Sequence, residues 1–176
     1  MAPINDTGLK AIRAFCKRLG DFRPLVFCHR DYHCRNLIVL KDTLWMIDFQ
    51  DARLGSPVYD LASLLFDAYV PITDAFRKNL IQVYQSRLSI YSVAQEVNWD
   101  QFEEDLYMMA YQRTLKAAGS FASFWTRYQK KSHLVYLKPA LQMAKRLEEK
   151  AAISKDVTDA FEVEKMLGLL DGKKDH

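Results

Sequence analysis

Apolar positions along this chain fall into two regimes. Before residue 50 they come in short runs, Leu25-Val26-Phe27-Cys28, Leu37-Ile38-Val39-Leu40 and Leu44-Trp45-Met46-Ile47. Four apolar residues bounded by turn formers predict a strand, and Lys41-Asp42-Thr43 joins the second and third runs as a tight hairpin. From residue 60 the period becomes helical. Leu61, Leu64, Leu65, Ala68 and Tyr69 share one face of a helix that Pro71 ends. Phe76, Leu80, Val83 and Tyr84 start a second helix. A third is capped by Asp100, carries Phe102, Leu106, Met109, Ala110 and Ala117, and is interrupted at Gly119. Leu137, Leu141, Ala144 and Leu147 mark a fourth, and Ala160, Val163, Leu167 and Leu170 a fifth. Ahead of the strands, Asp6 or Thr7 caps a helix that runs to about Leu19 and stops at Gly20. The expected class is α+β and predominantly helical, with one small hairpin sheet that delivers loops to a common end. Residues 1–176 are expected to form a single domain with a frayed tail over residues 171–176.

Composition narrows the partners. Hydrophobic residues make up 49% of the chain, enough for a real core. The 25 basic and 22 acidic residues leave a net charge of +3, and the basic ones are scattered apart from small clusters such as Lys130-Lys131 and Lys173-Lys174. Neither nucleic acid nor a membrane surface is an expected partner. No apolar run approaches the roughly 18 residues that span a bilayer. The N-terminus, Met1-Ala2-Pro3-Ile4-Asn5-Asp6, lacks the charged-then-apolar order of a signal peptide. Three cysteines (Cys16, Cys28 and Cys34) without a CxxC pair suit free thiols in a reducing, cytoplasmic setting.

The chemistry concentrates where the strands end. His29-Arg30-Asp31-Tyr32-His33-Cys34-Arg35-Asn36 reads as HxDxxxxN, and Asp48 follows the apolar run ending at Ile47. This is the layout of a phosphoryl-transfer site, with Asp31 accepting the proton of the acceptor hydroxyl. Asn36 offers a neutral amide oxygen and Asp48 an anionic one to magnesium, a hard cation that prefers oxygen. His29 is expected to lock the loop through backbone carbonyls. Asp60, in Tyr59-Asp60-Leu61-Ala62, is an N-cap or, on the preferred reading, a buried carboxylate accepting N–H groups of the catalytic loop. Arg30, His33, Arg35 and Asp51 are candidate phosphate, metal or substrate contacts, set against salt bridges and surface turns.

Two other chemistries compete. Cys28-His29 and His33-Cys34 superficially suggest zinc, but Cys28 and His29 are adjacent on a strand end and point oppositely. A magnesium-dependent phosphohydrolase using Asp48 and Asp51 lacks an evident nucleophile context.

HRDYHCRN, then IDFQDA over 47–52, then GSPVYDLASLL over 55–65 resemble the aminoglycoside phosphotransferase family of kinase-like enzymes. The similarity is greatest to its bacterial branch of N-acetylmuramate and N-acetylglucosamine kinases, which phosphorylate the anomeric hydroxyl in cell-wall recycling. The later segment from Gln112 to Ala122 also fits that branch, and the match runs from about residue 9 to 148. The resemblance implies a protein-kinase-like C-terminal lobe, ATP as co-substrate, Mg2+, and a small-molecule sugar acceptor. It places the base at Asp31, the metal ligands at Asn36 and Asp48, and the supporting carboxylate at Asp60. The acceptor pocket falls among the later helices, where Gln112, Arg113 and Lys116 are candidate contacts. The family also has an N-terminal lobe with a phosphate-covering loop, a strand lysine and an adenine-binding hinge. Here 28 residues precede His29, with neither GxGxxG nor GxxxxGK[ST] among the six glycines. The expectation is therefore a C-terminal lobe alone, completed by a missing N-lobe chain or by self-association. Its water-facing metal site implies weak nucleotide binding and little turnover in isolation. The alternative is a non-catalytic half-kinase that serves as a ligand- or partner-binding module.

Overall fold

The computed structural model describes residues 4–172. The signal-peptide reading of the N-terminus and the Lys173-Lys174 cluster therefore lie partly or wholly outside the described residues. Helix α1 spans Asp6–Gly20, followed by β1 (Val26–Cys28), β2 (Leu37–Leu40), β3 (Thr43–Met46) and β4 (Arg53–Gly55). Helices then dominate: α2 (Val58–Leu65), α3 (Asp74–Leu88), α4 (Phe102–Tyr128), α5 (Leu137–Lys150), α6 (Lys155–Phe161) and α7 (Val163–Asp171).

The strands form two separate two-stranded sheets rather than the single sheet expected. Antiparallel β1 and β4 pair with Val26 opposite Gly55, and antiparallel β2 and β3 pair with Val39 opposite Leu44. The extra strand, Arg53–Gly55, is too short and mixed for an apolar pattern to reveal. The strands approach closely at Gly55, where a Cβ would sit 3.1 Å from the Sγ of Cys28 and push that side chain by a few tenths of an ångström.

The core is built on α4, a 27-residue helix that runs straight through Gly119 without the expected interruption. Its Leu106, Ala110 and Tyr111 are fully buried. One side of α4 meets Ala62 and Leu65 of α2, and another meets Ala140, Leu141, Ala144 and Leu147 of α5. Alanines at 110, 140 and 144 let the α4 and α5 backbones approach closely, which fits their extensive contact.

Several boundaries moved for local reasons. Asn5, not Asp6 or Thr7, caps α1 by accepting from the Gly8 N–H at 2.8 Å. Helix α2 stops at Leu65 instead of reaching Tyr69, because the carboxylate of Asp67 takes the Tyr69 N–H at 2.8 Å and makes a local turn. The cap of α4 is Gln101, one residue after Asp100. The expected fifth helix is two, broken at Glu162, whose φ is 48°. Asp171 closes α7 and pairs with Lys138, so the fraying expected there does not begin at Asp171. Among the described residues no helix is long and apolar enough to cross a membrane.

Candidate active site

The segment 29–36 leaves β1 and is fastened at almost every turn. Asp60, in the first turn of α2, accepts the His29 N–H at 2.6 Å on one oxygen and the Arg30 N–H at 2.9 Å on the other. Seven residues on, Asp67 accepts the Cys34 N–H at 3.0 Å. The buried imidazole of His29 meets the Ile47 carbonyl oxygen through Nε2 at 2.8 Å, and its Nδ1 accepts the Asp31 N–H at 3.3 Å. A carbonyl only accepts and an amide only donates, so these partners select the neutral imidazole with its proton on Nε2.

The second loop is joined to the first. The Ile47 N–H donates to the Asn36 carbonyl at 3.0 Å, so Ile47 is bonded to both ends of the HxDxxxxN segment. Asp48 comes next, exposed, with φ 67°, and one of its oxygens accepts from the Gln50 amide at 2.8 Å. Asn36 is buried. Its side-chain N–H donates to the Asp31 carbonyl at 2.9 Å, which leaves the amide oxygen without a partner among the described residues. One neutral oxygen and one exposed carboxylate are the donors a magnesium ion accepts while keeping waters and phosphate oxygens for its other positions. Asp51 is exposed and makes no hydrogen bond among the described residues.

Asp31 opens onto a pocket of about 230 Å³ between the loop, the end of α2 and α4. His33, Asp67, Arg113, Thr114, Lys116 and Ser120 supply polar groups, and Phe66, Tyr69, Phe121 and Phe124 supply aromatic wall. His33 sits with Nε2 3.3 Å from an Asp31 oxygen, while its Nδ1 is buried without a partner among the described residues. Desolvation and the Arg113 charge lower the pKa of Lys116, and the nearby Asp31 carboxylate raises it. A larger cavity, about 720 Å³, lies between α1 and α4–α7. Its wall is mainly apolar and includes none of the residues 29–36.

Other candidates fall in different places. Arg113 donates from Nε to the Ser63 hydroxyl at 2.8 Å, from Nη1 to the Tyr59 hydroxyl at 2.7 Å and from Nη2 to the Arg30 carbonyl at 3.1 Å. Arg35 is clamped between rings, its guanidinium 3.8 Å from the centre of Tyr69 and bonded to the Tyr136 hydroxyl at 3.0 Å. Gln112 does not line the pocket, and its side-chain oxygen is buried without a partner among the described residues. The Arg30 side chain makes no hydrogen bond among the described residues. Burial, aided by Asp60 and opposed by Arg30, pushes the Cys28 thiol up to about 12, and burial with Asp67 takes Cys34 to about 11. Thiols raised in this way are poor nucleophiles.

Residues that sequence reasoning passed over include Asp67, Ser63, Tyr59 and Tyr136. Asp67 lies just past the end of α2, and no local pattern in the sequence marks it as a partner of the 29–36 segment.

The profile of the phosphotransferase enzyme family matches residues 5–97. An N-acetylmuramate/N-acetylglucosamine kinase from Neisseria meningitidis serogroup B is 32% identical over 130 residues, covering 74% of this chain and 39% of that protein. The Caulobacter vibrioides protein of the same name is 47% identical over 64 residues, 34% of this chain and 18% of the relative. Protein LicA of Haemophilus influenzae is 27% identical over 85 residues, 41% of this chain and 32% of that protein. The chain thus spans less than half the length of the curated relatives it matches. With a family profile covering more than half of its residues, the chain belongs to the phosphotransferase enzyme family.

Proposed function

We propose that this chain carries the chemical centre of a kinase-like phosphotransferase that moves the γ-phosphoryl group of ATP to a hydroxyl of an amino sugar. The relatives' names supply the substrate class, N-acetylmuramate and N-acetylglucosamine. The observation that carries the reading is Ile47, bonded at once to His29 and Asn36, because it draws Asp31, Asn36 and Asp48 to one end of the molecule. The pocket beside Asp31 is smaller than the ~300–1,000 Å³ of drug-sized ligand sites and suits a single sugar ring. Its aromatic walls would meet the apolar face of the ring, and its polar groups the hydroxyls.

In the reaction, the acceptor oxygen forms a bond to the γ-phosphorus as the bond from phosphorus to the ADP oxygen breaks. Asp31 orients the hydroxyl and takes its proton, which later passes to water. Asn36 and Asp48 would hold magnesium, which supplies charge neutralisation at the phosphates. His29, Asp60 and Asp67 keep the loop in shape without touching substrate. Helices and hairpins together correspond to the C-terminal lobe of such an enzyme, acting in the cytoplasm, where ATP and free thiols coexist.

The test is transfer of phosphate from magnesium-ATP to N-acetylglucosamine or N-acetylmuramate, followed by 31P NMR. Asp31→Asn lowers turnover about 10²- to 10⁴-fold with little change in acceptor KM. Transfer that survives this substitution would contradict the assignment of the base.

A second reading, a partner-binding module, draws on β2 and β3. Val39 and Leu44 on one face of that hairpin are 73% and 58% exposed, and Ile38 and Trp45 on the other are 45% and 56% exposed. An apolar hairpin bare on both faces is a surface that another polypeptide would cover.

A further inference from the structure

We propose that Arg113 is the positioning residue of the catalytic loop, holding Arg30 in its left-handed backbone and Asp31 ready beside it. The proposal rests on the reading of Asp31 as the base. Arg30 has φ 71°, a left-handed conformation that strains a side-chain-bearing residue. Both peptide groups flanking it are pinned. Its N–H is held by Asp60 at 2.9 Å, and its carbonyl accepts from Arg113 Nη2 at 3.1 Å. One anchor comes from α2 and the other from α4, so the strained turn bridges two helices that pack in the core.

The same guanidinium stands 4.0 Å from an Asp31 oxygen without closing on it. An arginine free to turn would make a bidentate pair with the carboxylate and occupy both oxygens. Here Nε is held by Ser63 and Nη1 by Tyr59, whose ring also lies 4.6 Å beneath the guanidinium. The guanidinium therefore stops short of Asp31 and leaves its Oδ1 open to the pocket and an acceptor hydroxyl. Arg113 is 9% exposed, and its three partners come from 50 to 83 residues away in the chain. That arrangement belongs to a fixed scaffold rather than to a side chain that reaches for substrate.

The test is amide hydrogen exchange on the full chain, residue by residue, in Arg113→Lys, Arg113→Ala and Tyr59→Phe. Expected is at least tenfold faster exchange at Asp31, Tyr32 and His33 in both Arg113 variants, with a smaller rise in Tyr59→Phe. Exchange in the middle of α2 and α4 stays as in the wild type. Millimolar guanidinium restores the loop's protection in Arg113→Ala and leaves the wild type unchanged. Where transfer is measurable, kcat falls and the acceptor KM does not move. Unchanged loop exchange in the Arg113 variants, or a rise shared equally by α2 and α4, would overturn the proposal. Loop exchange as expected with no transfer by the wild type would instead count against the kinase reading and leave the positioning role standing.

Discussion

His29 reaches across from the 29–36 loop to the Ile47 carbonyl oxygen at 2.8 Å, and the residue after each partner, Arg30 and Asp48, has left-handed backbone. One hydrogen bond thus ties together the two strained turns that present Asp31 and Asp48. In His29→Phe the Ile47 oxygen loses its partner in a half-buried place. Stability should fall by about 1–3 kcal/mol, read from urea unfolding, and the Asp48 turn should loosen in NMR relaxation. A variant as stable as the wild type would mean that water replaces the imidazole.

Asp60 bears a comparable load. Replacing it with alanine strips a charged acceptor from two backbone N–H groups, a loss of about 3 kcal/mol. Asp60→Asn keeps one acceptor and should recover part of that loss. Equal melting of the two variants would show that the charge matters more than acceptor geometry.

The β2–β3 hairpin predicts self-association of the isolated chain. Val39→Lys with Leu44→Glu places an opposite-charge pair across the strands on the more exposed face. Light scattering should give a concentration-dependent mass for the wild type and a monomer for the double variant. A wild type that is monomeric at high concentration would show that the bare face does not bind its own kind.

Asp105 supplies a pH signature. Burial, with a smaller contribution from Glu104 and opposed by Arg18, pushes its carboxyl up to about 6. The folded protein then holds this proton more tightly than the unfolded chain does. Its contribution to stability is present below pH 4 and is lost as pH rises through 6. Asp105→Asn cannot ionise, so it should gain on the wild type from pH 4 to 7, reaching about 1 kcal/mol after solvent screening of a half-exposed group. Paired denaturation curves at pH 4 and pH 7 measure the difference, and a constant gap between them would refute the shift.

Local signals carried much of this architecture. The apolar runs at 37–40 and 44–47 and the helical period from residue 60 located β2, β3 and α2 because each depends on near neighbours. What escaped depended on distant partners. The split into two sheets follows from Arg53–Gly55 folding back on Val26–Cys28, a pairing that no local pattern announces. Gly119 does not break α4, because burial of Ala118 and Phe121 on either side offsets its poor propensity. The spacing of Asp31, Asn36 and Asp48 was legible as the layout of the proposed site. The engagement of Arg113 with Tyr59, Ser63 and Arg30 was not, since those contacts exist only once α4 lies against α2.

The most direct test of the metal and phosphate assignment is paramagnetic broadening by Mn2+, standing in for magnesium, on the 15N-labelled chain with ATP present. The account predicts broadening centred on the amides of Asn36, Leu37, Asp48 and Phe49 that disappears in Asp48→Asn. Broadening centred elsewhere, such as the acidic residues of α6, or none with millimolar ATP, would contradict it.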